Sequence, residues 1–102
     1  MEEICEFITR RFSKDCDWTT GNCYYFALIL ISRFPWLNLI YDQVEGHFMA
    51  GEYTKDSLVC YDQKNVTIYD YNSKEIKYLW DFNDMKEKDP LLYKRLIKDC
   101  VL

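Results

Sequence analysis

The sequence predicts an α+β domain in which two N-terminal helices pack on an antiparallel sheet of four or five strands and a further helix closes the chain. Three observations carry this. Apolar residues recur at helical spacing before Leu37, the pattern changes to period two from Leu37 onward, and helical spacing returns after Asp89-Pro90. A chain of 102 residues suits one hydrophobic core, so residues 1–102 are expected to form a single domain.

The first helix is expected over Glu2–Phe12, where Ile4, Phe7, Ile8 and Phe12 share one stripe and acids occupy the first turn. Ser13–Asn22 is polar and rich in turn formers, hence a loop. The second helix runs from about Asn22 to Phe34 and is stopped by Pro35. Its Cys23–Ile31 stretch is apolar nearly all round, which predicts a buried central helix, with cap-type residues at Thr19–Asn22. Strands follow at Leu37–Tyr41, Val44–Tyr53, Ser57–Asp62, Val66–Tyr71 and Ile76–Trp80. Thr54–Asp56, Gln63–Asn65 and Asn72–Lys74 separate them at hairpin distance, and connections that short demand antiparallel pairing. Asp84–Asp89 mixes charge signs and reads as a solvated turn. Asp89 caps the last helix, with Pro90 at its first position and Leu92, Leu96 and Cys100 on one face.

Composition narrows the function. A hydrophobic content of 49%, including 18% aromatic residues, excludes a disordered tail. The net charge of −4, with no basic arm on either side of Gly51, argues against binding nucleic acid through phosphate neutralisation. The longest apolar run ends at Ser32-Arg33, far short of the ~20 residues of a membrane span. Met1-Glu2-Glu3 is acidic where a signal peptide is basic, so a cytosolic location is expected. Cys5, Cys16, Cys23, Cys60 and Cys100 are scattered with no C-x-x-C pair, which predicts neither a disulfide framework nor a structural zinc site. His47 is the one histidine, and any thiol–imidazole chemistry must use it.

Cys23 opens the apolar helix directly after Gly21-Asn22. A thiol at that position meets the positive end of the helix dipole and free backbone N–H groups, which favour thiolate and supply half of an oxyanion hole. The bland alternative is a small hydrophobe filling the first turn of a core helix. His47 lies in Val44-Glu45-Gly46-His47-Phe48-Met49-Ala50, where alternation sets Val44, Phe48 and Ala50 on one side and His47 with Met49 on the other. Gly46 beside it would admit another backbone or a substrate. Alone, His47 reads as a surface strand histidine; beside Cys23 it completes a nucleophile–base pair. A hairpin closed at Thr54–Asp56 sets Asp62 opposite His47 or within two residues of it, with Asp70 the rival for a third member. For either aspartate the bland reading is a strand-end carboxylate in water. The nine tyrosines offer a partner-binding surface or, on β-propensity, half-buried strand faces.

Gly21-Asn22-Cys23-Tyr24-Tyr25-Phe26-Ala27 resembles the segment around the nucleophile of papain-like cysteine peptidases, in which Gly-x-Cys-aromatic-x-Phe-Ala opens the central helix. The order Cys, then His on a strand, then a polar residue on the next strand is also that of this clan, bacterial cell-wall endopeptidases included. The whole chain is similar to small proteins of phages and prophages of Gram-positive bacteria. They share Gly-Asn-Cys-Tyr-x-Phe-Ala, Val-Glu-Gly-His-Phe, a Tyr-Asp strand end and Asp-Pro-Leu-Leu-Tyr, here Gly21–Ala27, Val44–Phe48, Tyr61-Asp62 and Asp89–Tyr93.

The resemblance implies a papain-like core with Cys23 as nucleophile, His47 as general base and later acid, and Asp62 as orienting group. It also shows a departure. Position 17 is Asp17, where these peptidases carry the Gln that completes the oxyanion hole, so Asn22, Trp18 and Thr20 become the substitute donors. The function implied is thiol-dependent hydrolysis of amides in a protein or peptide substrate, in a bacterial host cytosol, with no cofactor or metal; acyl transfer would use the same triad. The competing expectation is a non-catalytic phage-encoded module that binds a host or defence protein. The missing Gln, the short chain and the acidic charge favour it.

Overall fold

The computed structural model describes residues 2–12, 23–64 and 66–100, and the side chains of all of these except 97–100. The expected loop over Ser13–Asn22, Cys16 and the side chain of Cys100 lie outside that description. The chain runs α1 (Glu2–Arg11), α2 (Cys23–Arg33), β1 (Asn38–Asp42), β2 (His47–Tyr53), β3 (Ser57–Tyr61), β4 (Val66–Asp70), a 3-10 helix (Lys74–Tyr78), β5 (Leu79–Asp81), α3 (Phe82–Lys88) and α4 (Pro90–Cys100). It is an α+β fold whose strands form one antiparallel sheet in the order β4-β3-β2-β1-β5. No helix among the described residues is long and apolar enough to cross a membrane.

One face of the sheet carries the main core. Leu39, Phe48, Ala50, Val59 and Tyr61 pack against Ile4 and Ile8 of α1, Phe26, Ala27 and Leu30 of α2, and Phe82 and Met85 of α3. The second face is smaller: Ile40, Met49, Leu58, Cys60 and Leu79 are buried there, with Tyr69 and Ile76 packed against them. The β2–β3 hairpin is fixed by its turn. Thr54 N–H donates to the Ser57 carbonyl at 2.8 Å, and Thr54 Oγ1 accepts from Ser57 N–H at 3.0 Å. That closure sets Ala50 opposite Tyr61 and Gly51 opposite Cys60. Gly51 is a close-approach position, since a Cβ there would lie 2.6 Å from Ile40 Cγ1.

Four expectations are corrected. Ile76–Trp80 is not one strand: the chain first makes the 3-10 helix, packs Ile76 on the sheet, and then delivers β5 to the far edge beside β1. A single inward apolar residue among Lys74, Glu75 and Lys77 suits one tight turn better than a half-buried strand. Asp84–Asp89 is not a free turn, because Asp84–Lys88 belongs to α3. Asp81 caps that helix by accepting from the N–H groups of Asn83 and Asp84, and Phe82 and Met85, three apart, are buried. Val44–Gly46 is a turn that leaves Val44 68% exposed, because the Asp42 carboxylate takes up the Val44 and Glu45 N–H groups that a strand would use. Finally, α2 is buried on one side only: Cys23, Phe26, Ala27 and Leu30 are inside, whereas Tyr25, Leu28 and Ile29 are exposed. The sheet and α1 cover two of its sides, and among the described residues no element covers the third.

Candidate functional site

The site forms where the start of α2 meets the ends of two hairpins. At the β1–β2 end, Asp42 and His47 are paired residues closing a four-residue turn. Asp42 Oδ1 accepts from Val44 N–H at 2.9 Å and Glu45 N–H at 3.3 Å, and Gly46 N–H donates to the Asp42 carbonyl at 2.9 Å. Gly46 has φ +63°, a left-handed conformation that costs a residue with a Cβ. A Cβ there would come only within 3.9 Å of the Tyr41 hydroxyl, so this glycine serves the turn and not the close approach expected from the sequence. The turn hands the chain to β2 with His47 as its first residue.

Phe48, the next residue, anchors β2 beneath the first turn of α2. Its ring packs edge-on against Tyr24 at 5.1 Å and against Phe82 at 5.0 Å. This brings the Phe48 backbone and the His47 ring to Cys23, which is 8% exposed. Burial by itself pushes the Cys23 thiol up. The hydrogen bond with His47, the backbone N–H of Phe48, the charge on His47 and the N–H of Tyr24 act in the opposite sense and together prevail, so its pKa lies below the ordinary 9.0.

Asp62 follows β3 by one residue, and continuing the β2–β3 register past Ala50 and Tyr61 sets it level with Met49, two residues from His47. Its Oδ1 accepts from Lys64 N–H at 2.8 Å, and its Oδ2 lies 3.6 Å from His47 Nε2, an ion-pair distance longer than a tight hydrogen bond. The Asp62 carboxylate first, and then the hydrogen bond with Cys23, raise His47 from 6.5 to about 9 against the downward push of burial. The imidazole and the thiol each favour the other's charged form.

The structure thus brings Cys23, His47 and Asp62 together. Asp70 is elsewhere: it is exposed and accepts from Asn72 N–H at 2.8 Å in the turn after β4. The proposed oxyanion donors Asn22, Trp18 and Thr20, with Asp17, lie outside the described residues. Sequence reading missed two parts, the N–H of Phe48 and the buried carboxylate of Asp42. The second had a signal, since Asp followed by a short polar run and Gly is the pattern of a side-chain-capped turn.

Beside His47 and Asp62 opens a cavity of about 490 Å³, lined also by Asp42, Glu45, Met49, Lys64, Thr67 and Tyr69. Three of its walls are carboxylates and one is an amine. No group of three or more His, Cys, Asp or Glu side chains is arranged to hold a metal among the described residues. Chemically, the arrangement offers an activated sulfur, a proton carrier and a carboxylate that holds the carrier's charge. Comparison of the chain with protein-family models, with curated proteins and with solved structures found no match.

Proposed function

We propose that the protein is a thiol-dependent amide hydrolase with a papain-like arrangement of Cys23, His47 and Asp62, acting on a protein or peptide substrate. The observation that carries this reading is the Cys23 thiol itself. It is buried yet lowered in pKa, held by an imidazole that a carboxylate holds on its other side. Packing alone would leave a buried thiol raised and inert. The likeness of Gly21–Ala27 to the peptidase segment supports the same roles.

In the reaction the Cys23 thiolate attacks the amide carbonyl, a carbon–sulfur bond forms, and the carbonyl electron pair moves to oxygen. The Cys23 backbone N–H, at the start of α2 where no intrahelical acceptor exists, faces the developing oxyanion. As the intermediate collapses, the carbon–nitrogen bond breaks and the His47 imidazolium gives its proton to the departing amine. Neutral His47 then takes a proton from water, the hydroxide adds to the thioester, and the carbon–sulfur bond breaks to restore the thiolate. Asp62 keeps the ring oriented and its positive form stable through both halves. An amine in place of water gives acyl transfer from the same thioester.

Incubation with peptide and cell-wall fragment libraries, read by mass spectrometry, tests this directly. The wild-type chain should cleave an amide and trap as a thioester at Cys23, and Cys23→Ala, folded by circular dichroism, should do neither. Full hydrolysis by Cys23→Ala would end the proposal. A second reading, a binding module of phage origin that keeps the fold without turnover, is favoured by one observation: Cys23 is not among the residues lining the cavity beside His47. It predicts a stoichiometric partner complex that survives Cys23→Ala unchanged.

A further inference from the structure

The cavity of about 490 Å³ beside His47 holds a buried charge whose partner is missing from the described residues. It lies with Met49 at the end of the second face of the sheet, whereas Cys23 belongs to the main core. Asp42 and His47 are cross-strand partners, and both line it. Asp42 is 8% exposed. Its Oδ1 is taken up by the Val44 and Glu45 N–H groups, while Oδ2 has no hydrogen-bond or ion-pair partner among the described residues. A carboxylate withdrawn from water with one oxygen unanswered is costly unless a cation reaches it. We propose that the cavity is a binding site for a primary alkylammonium group, seated on Asp42 with its carbon stem along Tyr69 and Met49.

The other charged walls do not supply that cation. Asp62 is answered by His47 at 3.6 Å, and Glu45 and Lys64, both exposed, offset each other at the rim, so the Asp42 charge remains. The Tyr69 phenol feels the same excess: burial first, then the charges of Cys60, Asp42, Asp62 and Glu75, push it up. The free oxygen also selects the kind of cation. A guanidinium prefers two carboxylate oxygens side by side, whereas a single oxygen suits the point charge of an ammonium. A metal ion needs several converging ligands, and no group of three or more His, Cys, Asp or Glu side chains is so arranged among the described residues. Tyr69 and Met49 give the cavity aromatic and apolar surface, which an ammonium on an aliphatic stem can cover. The site is independent of turnover at Cys23, and its ligand is either a free diamine or a lysine side chain, which share this chemistry.

Isothermal titration of the full chain, with NMR of its single histidine, tests the site, and no read-out depends on hydrolysis. The probes are cadaverine, for a free diamine, and the Nα-acetyl amides of lysine, norleucine and arginine. The lysine amide should shift the His47 ring signals and bind about tenfold or more tighter than its uncharged norleucine twin, with the arginine amide the weaker of the two cations. Asp42→Asn keeps Oδ1 for the turn and should remove most of that preference. Glu45→Gln, at the exposed rim, should reduce it by about two- to fivefold, and decides the matter where Asp42→Asn does not fold. The tighter of cadaverine and the lysine amide tells whether the ammonium is free or carried by a peptide. Equal binding of the lysine and norleucine amides, a preference for arginine, unmoved His47 signals, or a preference undiminished in the folded variant would overturn the proposal.

Discussion

At the start of α2 the pKa of the Cys23 thiol is lowered from its ordinary value, whereas near the end of β3 that of the Cys60 thiol is pushed up to about 12. Both side chains are buried, at 8% and 1% exposure, and burial pushes both in the same direction. Their surroundings divide them. Cys60 packs among Ile40, Met49, Leu58 and Leu79, and the negative charges of Asp42 and Asp62 add to the upward push. Cys23 has the His47 ring and the N–H groups of Phe48 and Tyr24. Asp62 acts on both thiols with opposite results: directly it disfavours a thiolate at Cys60, and through the imidazole it favours one at Cys23. A carboxylate helps a cysteine only when a proton-carrying group stands between them.

Breaking the comparison at its sharpest point gives the largest effect. Cys23→Ala should lower turnover by about 10⁴-fold or more, whereas Cys60→Ala should keep turnover and cost roughly 1–2 kcal/mol of stability, read from the urea midpoint. His47→Gln should make Cys23 resemble Cys60, because burial is then opposed only by backbone donors. Its alkylation at pH 7 should fall by on the order of 10²-fold.

Asp62→Asn sharpens the same contrast at one remove. His47 loses its largest upward influence, so the alkaline limit expected of the proposed activity, near pH 9 for the wild type, should move toward pH 6.5, and turnover at pH 7 should fall by on the order of a hundredfold. Stability follows with a definite sign. The folded pKa of His47 lies above its unfolded value, so its contribution is complete below pH 6.5 and is lost as pH rises through about 9. The difference in urea midpoint between wild type and His47→Gln should shrink over that window. The smallest effect is expected at Gly46→Ala, which forces a Cβ into φ +63° and should cost about 1 kcal/mol.

Much of the fold was legible because its signals are local. Pro35 after α2, the Asp89-Pro90 start of α4 and the Thr54–Asp56 turn each dictate the backbone within a few residues. The Cys23, His47 and Asp62 grouping was legible for the same reason, since a hairpin turn fixes register and register brings Asp62 to His47. What could not be read depends on distant partners. β5 pairs with β1 across the sheet, and no feature of Leu79–Asp81 names that neighbour. The α2 sequence is apolar on all sides, but which side meets the sheet is decided by Phe48, Ala50 and their packing, not by α2. Gly46 reads as room for a neighbour because a glycine's need for positive φ and its need for space look identical in sequence.

The central claim is that one buried thiol is activated and the other silenced by its neighbours. It is tested most directly by iodoacetamide labelling of the native protein from pH 5 to 10, with the rate at each cysteine resolved by peptide mass spectrometry. Cys23 should react with a midpoint below pH 9, while Cys60 should stay unlabelled across the range. A Cys23 rate that climbs with a midpoint at or above pH 9, or that matches Cys60, would contradict it.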